Sequence, residues 1–191
     1  MRRLLLLGLV LAGAALAPGG ASGVGPNWKA LERPLHLPKL APGEGCPTSK
    51  LAPQITAKKY GVGGALGSGP VFPMIGGTTL ATVFQPPFRG AWAGTKVLWF
   101  VLPNYKGPVL IRGRKVGGSQ LMRFDGGTHP PAQIRLAPGQ RSPGLVAWIG
   151  QVPGSRGRES YVRVRAPGCY GVQIDGTSFS TVVIFKVTTS R

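Results

Sequence analysis

The C-terminal stretch from Tyr161 to Arg191 constrains the fold more than any other part of the sequence. It contains Asp175-Gly176, a dipeptide that supplies the positive φ angles of a two-residue type I′ turn. A hairpin built on this turn pairs Ile174 with Thr177 and has one apolar and one polar face. The other predicted pairs are Val172 with Phe179 and Tyr170 with Thr181, the apolar face continues through Val183 and Phe185, and the polar face carries Gln173, Ser178 and Ser180. This alternation is typical of an antiparallel sheet that packs one face on a core.

The rest of the chain has the pattern of short strands separated by tight turns. It holds 31 glycines and 19 prolines, and its apolar residues fall into short runs between Gly/Pro clusters. No long stretch repeats apolar residues at helical spacing. The predicted strands before the hairpin are Ile55–Tyr60, Val71–Phe72, Thr78–Phe84, Lys96–Leu102, Val109–Lys115, Leu121–Phe124, Gln133–Leu136, Leu145–Val152 and Tyr161–Arg165. The sequence therefore predicts an all-β domain, and the regular turn signals favour an antiparallel sandwich over a barrel.

The N-terminus has the three parts of a secretory signal peptide. Met1-Arg2-Arg3 is positively charged, Leu4 to Ala17 is apolar, and small residues follow. The apolar run is shorter than the roughly 18–20 residues of a membrane-spanning helix, so an uncleaved anchor is the weaker alternative. We expect a signal peptide at 1–23, a proline-rich extended arm at 24–53 that packs on the domain, and a β-sandwich at 54–191, with no transmembrane span in the mature chain.

The two cysteines, Cys46 and Cys169, predict a disulfide bond, which is the default state of paired cysteines in an exported protein. The bond would join the proline-rich arm to the C-terminal hairpin. On the chain-entropy model a loop of this length stabilises the fold by at most about 5 kcal/mol. Free thiols or metal ligation are the alternatives, and the lack of neighbouring histidines disfavours a metal site.

The net charge of +18, with only five acidic residues, predicts an attraction to polyanions. Arg112 and Arg114 alternate on one predicted strand, and Arg163 and Arg165 on another, so each pair projects from a single sheet face. If the two strands share a face, their guanidinium groups form a row suited to phosphates or carboxylates. Two alternatives remain open: a solvated face that discourages edge aggregation, and a basic composition that reflects coding bias alone.

Residues for catalysis are sparse. Asp125 lies four positions before His129 with Ser119 nearby, which allows a serine triad, but no Gly-x-Ser-x-Gly turn occurs. Asp125 with Glu159 is the remaining pair of carboxylates for glycoside hydrolysis. The triad lacks its usual turn, and the carboxylate pair is only what remains of five acidic residues, so we expect no catalytic residues, no metal site and no cofactor. Nucleic-acid binding is not expected either, because Tyr161 alone interleaves with the basic residues.

The segment Ala166-Pro167-Gly168-Cys169-Tyr170, followed by the hairpin, resembles the last two strands of immunoglobulin-like sandwich domains. Over a longer span, three stretches are similar to uncharacterised secreted bacterial single-domain proteins: Arg33 to Pro38, Gly107 to Arg114, and Gly168 to Ser180. The first resemblance implies an Ig-like sandwich. The second implies an exported single domain and brings no activity with it.

Together these features predict a non-enzymatic, exported binding module in the cell envelope or the extracellular space. Its partner would be anionic, such as a cell-envelope polymer or lipid head groups. The alternatives are an adhesion or assembly subunit that acts through its sheet edge and proline-rich arm, and an exported hydrolase that uses His129 and Asp125. The sequence does not specify an oligomeric state.

Overall fold

The structure is a computed structural model that describes residues 25–84, 88, 91–140 and 152–190. The predicted signal peptide at 1–23 and most of the predicted strand Leu145–Val152 lie outside these residues. The described residues form one helical turn, α1 (Ala57–Tyr60), a 3₁₀ turn (Lys29–Leu31) and nine strands. The strands are β1 (Val71–Met74), β2 (Thr79–Val83), β3 (Ala93–Val101), β4 (Val109–Lys115), β5 (Arg123–Phe124), β6 (Gln133–Leu136), β7 (Arg156–Val164), β8 (Gly168–Gly176) and β9 (Ser180–Ser190).

All nine strands belong to one sheet with the order β5-β7-β3-β2-β9-β8-β4-β6, and β1 also pairs with β3. The all-β prediction is therefore confirmed. The sheet nearly closes into a barrel, since β5 meets the segment just before β6 where the Phe124 amide donates to the Pro131 carbonyl at 2.9 Å. The predicted two-sheet Ig-like sandwich is not confirmed. The sheet is also mixed rather than purely antiparallel, because β2 and β9 run parallel; strand patterns specify which face is buried but not which distant strand is the neighbour.

Two arginines of β7 bridge the gap at which the sheet does not close. Arg156 donates to the Ala137 carbonyl at 2.8 Å and also to the Gly107 carbonyl. Arg158 donates to the Arg135 carbonyl at 3.1 Å. Guanidinium groups thus satisfy main-chain acceptors in β6, just after it and just before β4, at the place where a closed barrel would have strand pairing. Part of the basic charge therefore has a structural use.

The inner face of the sheet forms the main core. Trp99 on β3 is fully buried there, packs edge-on against Phe124 at a ring distance of 6.2 Å, and donates its indole N–H to Ser160 Oγ at 2.9 Å. A second apolar cluster lies on the outer face of β1 and β3, where Phe72 and Phe100 are covered by the segment 52–66. Because both faces of β3 are covered, its sequence is apolar at nearly every position.

The C-terminal hairpin is present, but its predicted register and turn are wrong. Asp175 pairs with Ser180 and Ile174 with Thr181, so the turn is formed by Thr177 and Ser178. Gly176 is needed for space rather than for a turn: a Cβ there would lie 2.2 Å from the Phe179 ring. The Asp-Gly turn preference is therefore overridden by packing in the tertiary structure.

The arm covers part of the hairpin face that was predicted to be polar and solvated. Gln173 is fully buried and its amide holds the arm backbone, accepting from His36 N at 2.8 Å and donating to the Pro34 carbonyl at 3.0 Å. Leu37 packs onto Gly171, where a Cβ would lie 2.8 Å from Leu37 Cδ2. On this face Gln173 thus pairs with the arm backbone instead of with water, whereas Ser178 and Ser180 stay exposed as predicted.

A disulfide bond also joins the arm to the hairpin, as the sequence predicts. The sulfurs of Cys46 and Cys169 are 2.05 Å apart and close a sequence separation of 123 residues. Such a bond is typical of an oxidising, extracytoplasmic environment. Within the described ranges, no helix has the length and apolar character needed to cross a membrane.

The predicted strand Ile55–Tyr60 is wrong, because this segment contains α1. Thr56 caps the helix N-terminus by accepting from Lys59 N at 3.3 Å, and Gly61 ends it with a left-handed φ of 72°. A Ser/Thr cap followed by a glycine C-cap is the usual signal of a short helix. Ile55 and Tyr60 are buried at its two ends, which explains why the apolar pattern looked strand-like.

Tyr170 reproduces a contact typical of immunoglobulin-like domains, the tyrosine corner, in which a phenol hydrogen-bonds to backbone a few residues upstream. Its hydroxyl lies 2.8 Å from the Ala166 carbonyl and 3.0 Å from Gln120 Oε1. Burial raises the pKa of Tyr170, so the phenol stays protonated and able to donate.

We expect Tyr170→Phe to lower the free energy of unfolding by about 1–2 kcal/mol, because it removes this hydroxyl and keeps the buried ring. Chemical denaturation monitored by circular dichroism measures the effect. The matched control is Tyr161→Phe, whose ring is only partly buried. A Tyr170→Phe loss no larger than that of the control would contradict a structural role for the hydroxyl.

Candidate functional site

The four arginines predicted to form one basic row lie at different places in the structure. Arg112 and Arg114 are on β4, Arg163 and Arg165 are on β7, and these two strands are not neighbours in the sheet. Arg112 is held under the arm and Arg163 is fully buried. Arg114 is half-buried and Arg165 exposed. The structure therefore does not bring the four together, and it leaves Arg114 and Arg165 as the accessible members.

Arg112 belongs to a buried ion cluster that fastens the arm. It donates to Asp175 Oδ2 at 2.8 Å and to the Arg33 carbonyl at 2.5 Å. Arg33, from the arm, reaches Asp175 Oδ1 at 3.3 Å and the Phe179 carbonyl at 2.8 Å. Asp175 also accepts from Ser180 Oγ at 2.7 Å. This network engages Arg112 beneath the arm, so the residue is part of the fold rather than of a binding surface.

A basic cleft opens between the arm and the turn that follows β4, and we call it the arm cleft. Its volume is about 630 Å³. Its polar side chains are those of Arg114, His36, Lys39 and Ser119. The remaining lining residues are Leu35, Leu37, Pro38, Gly117 and Gly118. No carboxylate is among the lining residues, so the arm cleft has the charge and the donors to hold an anion.

The geometry of the arm cleft follows from how the arm is anchored. Gln173 fixes the backbone at Pro34 and His36, and Leu37 packs inward on the sheet. In extended chain, alternate residues point to opposite sides. His36 is accordingly exposed while Leu37 is half-buried, and Lys39, two residues further on, is exposed as well. The residues that fasten the arm therefore also position the basic side chains of the cleft.

A second basic cleft lies on the other side of the same turn, and we call it the Trp92 cleft. It has a volume of about 290 Å³ and is lined by Trp92, Gln120, Leu121, Arg123 and Arg165. The Arg165 guanidinium lies 4.7 Å from the centre of the Trp92 ring, within the range of a cation–π contact. This cleft also has no carboxylate among its lining residues.

Arg163 does not line the Trp92 cleft but lies next to two residues that do, Trp92 and Arg123. Its guanidinium is 5.9 Å from the Trp92 ring centre and 5.6 Å from that of Phe88, and it pairs across strands with Arg123. Its Nη1 donates to the Gly127 carbonyl at 2.6 Å, whereas Nε and Nη2 are buried without a hydrogen-bond partner. Burial lowers the pKa of Arg163 below its usual value. Three arginines are thus adjacent here.

All five acidic residues have hydrogen-bond or ion-pair partners, and none of those partners lines either cleft. Asp175 is in the buried cluster, and Glu44 accepts from Ala41 N at 2.9 Å in a turn of the arm. The others form the ion pairs Glu32–Arg135 at 3.6 Å, Asp125–Arg158 at 2.5 Å and Glu159–Lys96 at 2.6 Å. The chain has five acids in all, and none of them lines either cleft.

The candidate catalytic residues do not form a triad. His129 is exposed and its Nδ1 lies 3.1 Å from Thr128 Oγ1, while Asp125 is bound to Arg158. Ser119 is in the arm cleft, on a different turn. Asp125 and Glu159 do line one small cleft, together with Lys96, Gly126, Ser160 and Tyr161. Each carboxylate there contacts a cation, and the hydrogen bond from Lys96 to Glu159 raises the pKa of Lys96.

No three His, Cys, Asp or Glu side chains lie close enough to hold a metal ion anywhere in the described segments. The chemistry that the two basic clefts offer is hydrogen-bond donation and positive charge. Sequence reasoning identified Arg114 and Arg165 but missed Trp92, Arg123 and Lys39. Those residues lie far apart in the chain and in different elements, so no local pattern joins them; the one usable signal was the alternation of Arg123 with the apolar residues Met122 and Phe124.

Comparison with known protein families, with curated proteins and with solved structures finds no match for this chain.

Proposed function

We propose that this protein is an exported, non-enzymatic binding module that holds an anionic polymer or head group of the cell envelope or extracellular space. The observation that carries the proposal is the arm cleft, whose ionisable side chains are Arg114, His36 and Lys39, with no carboxylate among its lining residues. The disulfide and the sequence of residues 1–23 support export. Guanidinium and ammonium groups in one cleft favour phosphate, sulfate or carboxylate ligands.

The charge distribution supports binding over catalysis. Cleft cations without nearby acids raise the local concentration of an anionic partner and attract it over a Debye length. The carboxylates Asp125 and Glu159 are instead held in ion pairs, and a glycoside hydrolase needs two such groups available to the substrate. The hydrolase alternative that uses His129 and Asp125 has less support for the same reason, because Asp125 is paired with Arg158.

The alternative of an assembly subunit that acts through its sheet edge also receives less support. The two terminal strands of the sheet, β5 and β6, approach each other, and Arg156 and Arg158 already occupy acceptors along β6. A strand can be added only where main-chain groups are unpaired. The arm, which was the other element of this alternative, is fastened to the hairpin.

We further propose that the C-terminal strands are related to those of immunoglobulin-like domains and of secreted bacterial single-domain proteins. The tyrosine-corner contact of Tyr170 supports this relation. The adjacent Cys169 points to the opposite face and bonds to the arm, which differs from the antibody arrangement in which tyrosine and cysteine are two residues apart.

Affinity chromatography on heparin tests the proposed function. The variant Lys39→Gln/Arg114→Gln is expected to elute at lower salt, with binding weakened about tenfold for each cation that contacts the polymer. The matched control is Lys58→Gln/Lys59→Gln, which removes the same charge from exposed positions on α1. Equal losses in both variants would mean that heparin senses net charge alone, and the arm cleft would then not be the site.

A further inference from the structure

The positive charge of the Trp92 cleft is not balanced by a carboxylate in its lining, and this favours the binding of an anion. Arg163 and Arg165 both lie within 6 Å of the Trp92 ring centre, at 5.9 Å and 4.7 Å, and Arg123 is the cross-strand partner of Arg163. The four ion-paired acids bind other cations, namely Arg33 and Arg112, Lys96, Arg135, and Arg158. Three adjacent guanidinium groups repel one another, and an anionic ligand would relieve the repulsion.

An independent observation is the hydrogen bonding of Arg163. This side chain has no exposed surface, yet two of its guanidinium nitrogens, Nε and Nη2, have no partner. A buried N–H group without an acceptor is unfavourable, and more so when it is charged. An oxyanion bound beside Arg163 would supply the missing acceptors, and a guanidinium fork matches the spacing of phosphate oxygens.

The apolar residues of the same cleft indicate what the anion is attached to. Leu121 is 42% exposed, one of two large apolar side chains with such exposure in the described residues, and it lies beside the half-buried Trp92. Tryptophan, an exposed aliphatic side chain and arginines occur together where proteins meet the head-group region of a membrane. The volume of about 290 Å³ also suits one head group better than a polymer chain.

We propose that the Trp92 cleft binds the phosphate group of an anionic phospholipid, with Arg123 and Arg165 at its mouth and Arg163 at its base. The site is separate from the arm cleft, although it rests on the proposed function for the sign of the partner's charge. Because the Trp92 ring lies against both Arg163 and Arg165, the phosphate reaches Arg163 only when this ring shifts. Binding is therefore expected to change the fluorescence of Trp92.

The experiment measures co-sedimentation of the protein with phosphatidylcholine vesicles that do or do not contain phosphatidylglycerol. The protein is expected to bind only the phosphatidylglycerol vesicles. Each basic residue near an anionic lipid surface contributes to the free energy of binding. Removing two of them in Arg123→Gln/Arg165→Gln should therefore weaken binding to the vesicles about 30-fold. The control Lys58→Gln/Lys59→Gln, with the same loss of charge, should bind nearly as well as the unchanged protein. Equal weakening in the two variants would overturn the proposal.

Tryptophan fluorescence gives a second measurement, one that a change in net charge alone does not alter. Adding phosphatidylglycerol vesicles should shift the tryptophan emission of the protein, and Trp92→Phe should remove most of the shift. Inorganic phosphate at high concentration should compete with the vesicles. A shift that survives in Trp92→Phe would place the contact elsewhere and overturn the proposal.

The outcome also separates this inference from the proposed function. If the protein does not bind vesicles while its retention on heparin still depends on Lys39 and Arg114, the lipid assignment is wrong and the proposed role of the arm cleft stands. If heparin retention is instead lost in Arg123→Gln/Arg165→Gln and vesicles do not bind, the Trp92 cleft holds a polysaccharide rather than a lipid. Failure to bind either probe would overturn both proposals.

Discussion

Asp175→Ala is expected to lower the free energy of unfolding by about 3–5 kcal/mol, which would make it one of the most destabilising single changes in the chain. The Asp175 side chain has no exposed surface and accepts from Arg112 at 2.8 Å and Ser180 at 2.7 Å. Without this carboxylate, Arg112, whose side chain is only 17% exposed, would keep a positive charge in a covered site with no anion beside it. Breaking one side of a buried pair costs far more than the pair itself contributes.

Denaturant unfolding of Asp175→Ala and of a surface control measures the difference. Glu32→Ala removes a carboxylate that is 3.6 Å from Arg135, with both side chains more than 40% exposed at 47% and 41%, and it should cost less than about 1 kcal/mol. Asp175→Asn keeps the shape and some hydrogen bonds, so its loss should fall between the two. If Asp175→Ala cost no more than Glu32→Ala, the ion cluster would not hold the arm.

The same residue shows where sequence reasoning fails. Asp175 precedes a glycine between two apolar runs, which is the strongest short-range signal for a hairpin turn. Its burial comes from Arg33, which is distant in sequence, and from the arm as a whole. Local turn preference amounts to a small energy, whereas a buried carboxylate with several charged donors is held more strongly. The turn therefore moved by two residues, to Thr177 and Ser178.

Features that depend on local pattern were predicted well. The strands Val109–Lys115 and Gln133–Leu136 have the predicted bounds, since turn residues flank both. The disulfide followed from the presence of only two cysteines. The way in which the sheet curves and nearly closes could not be predicted, because it depends on Arg156 and Arg158 reaching carbonyls of a remote strand.

The candidate site was predictable only in part, for the same reason. Arg114 and Arg165 were identified from their alternation along strands, and both line basic clefts. Their partners come from elsewhere in the chain: Lys39 from the arm and Trp92 from the residues before β3. Alternation specifies the face on which a side chain lies, but the topology decides which other side chains share that face.

The other large effect is expected from removing the disulfide. Cys46→Ser/Cys169→Ser should lower the free energy of unfolding by about 3–5 kcal/mol, since the bond closes a long loop in the unfolded chain. The native arm has further anchors, because Gln173 binds the Pro34 carbonyl at 3.0 Å and Ser49 N donates to the Ile184 carbonyl at 2.9 Å. The fold should therefore persist, with an unchanged circular dichroism spectrum. The unchanged protein in reductant should unfold at the same denaturant concentration as the variant.

Limited proteolysis at Lys39 separates the two ways in which the bond could act. Lys39 is exposed and lies between the anchors at Gln173 and Ser49. If the disulfide acts mainly on the unfolded chain, native-state cleavage at Lys39 in the double-serine variant should proceed within a few-fold of its rate in the oxidised protein. This should hold although the global stability of the variant has fallen. Exposed Lys58 on α1 serves as the reference site. Cleavage that accelerates at Lys39 by orders of magnitude, with Lys58 unchanged, would mean that the bond alone holds the arm, and the arm cleft would then exist only in the oxidised protein.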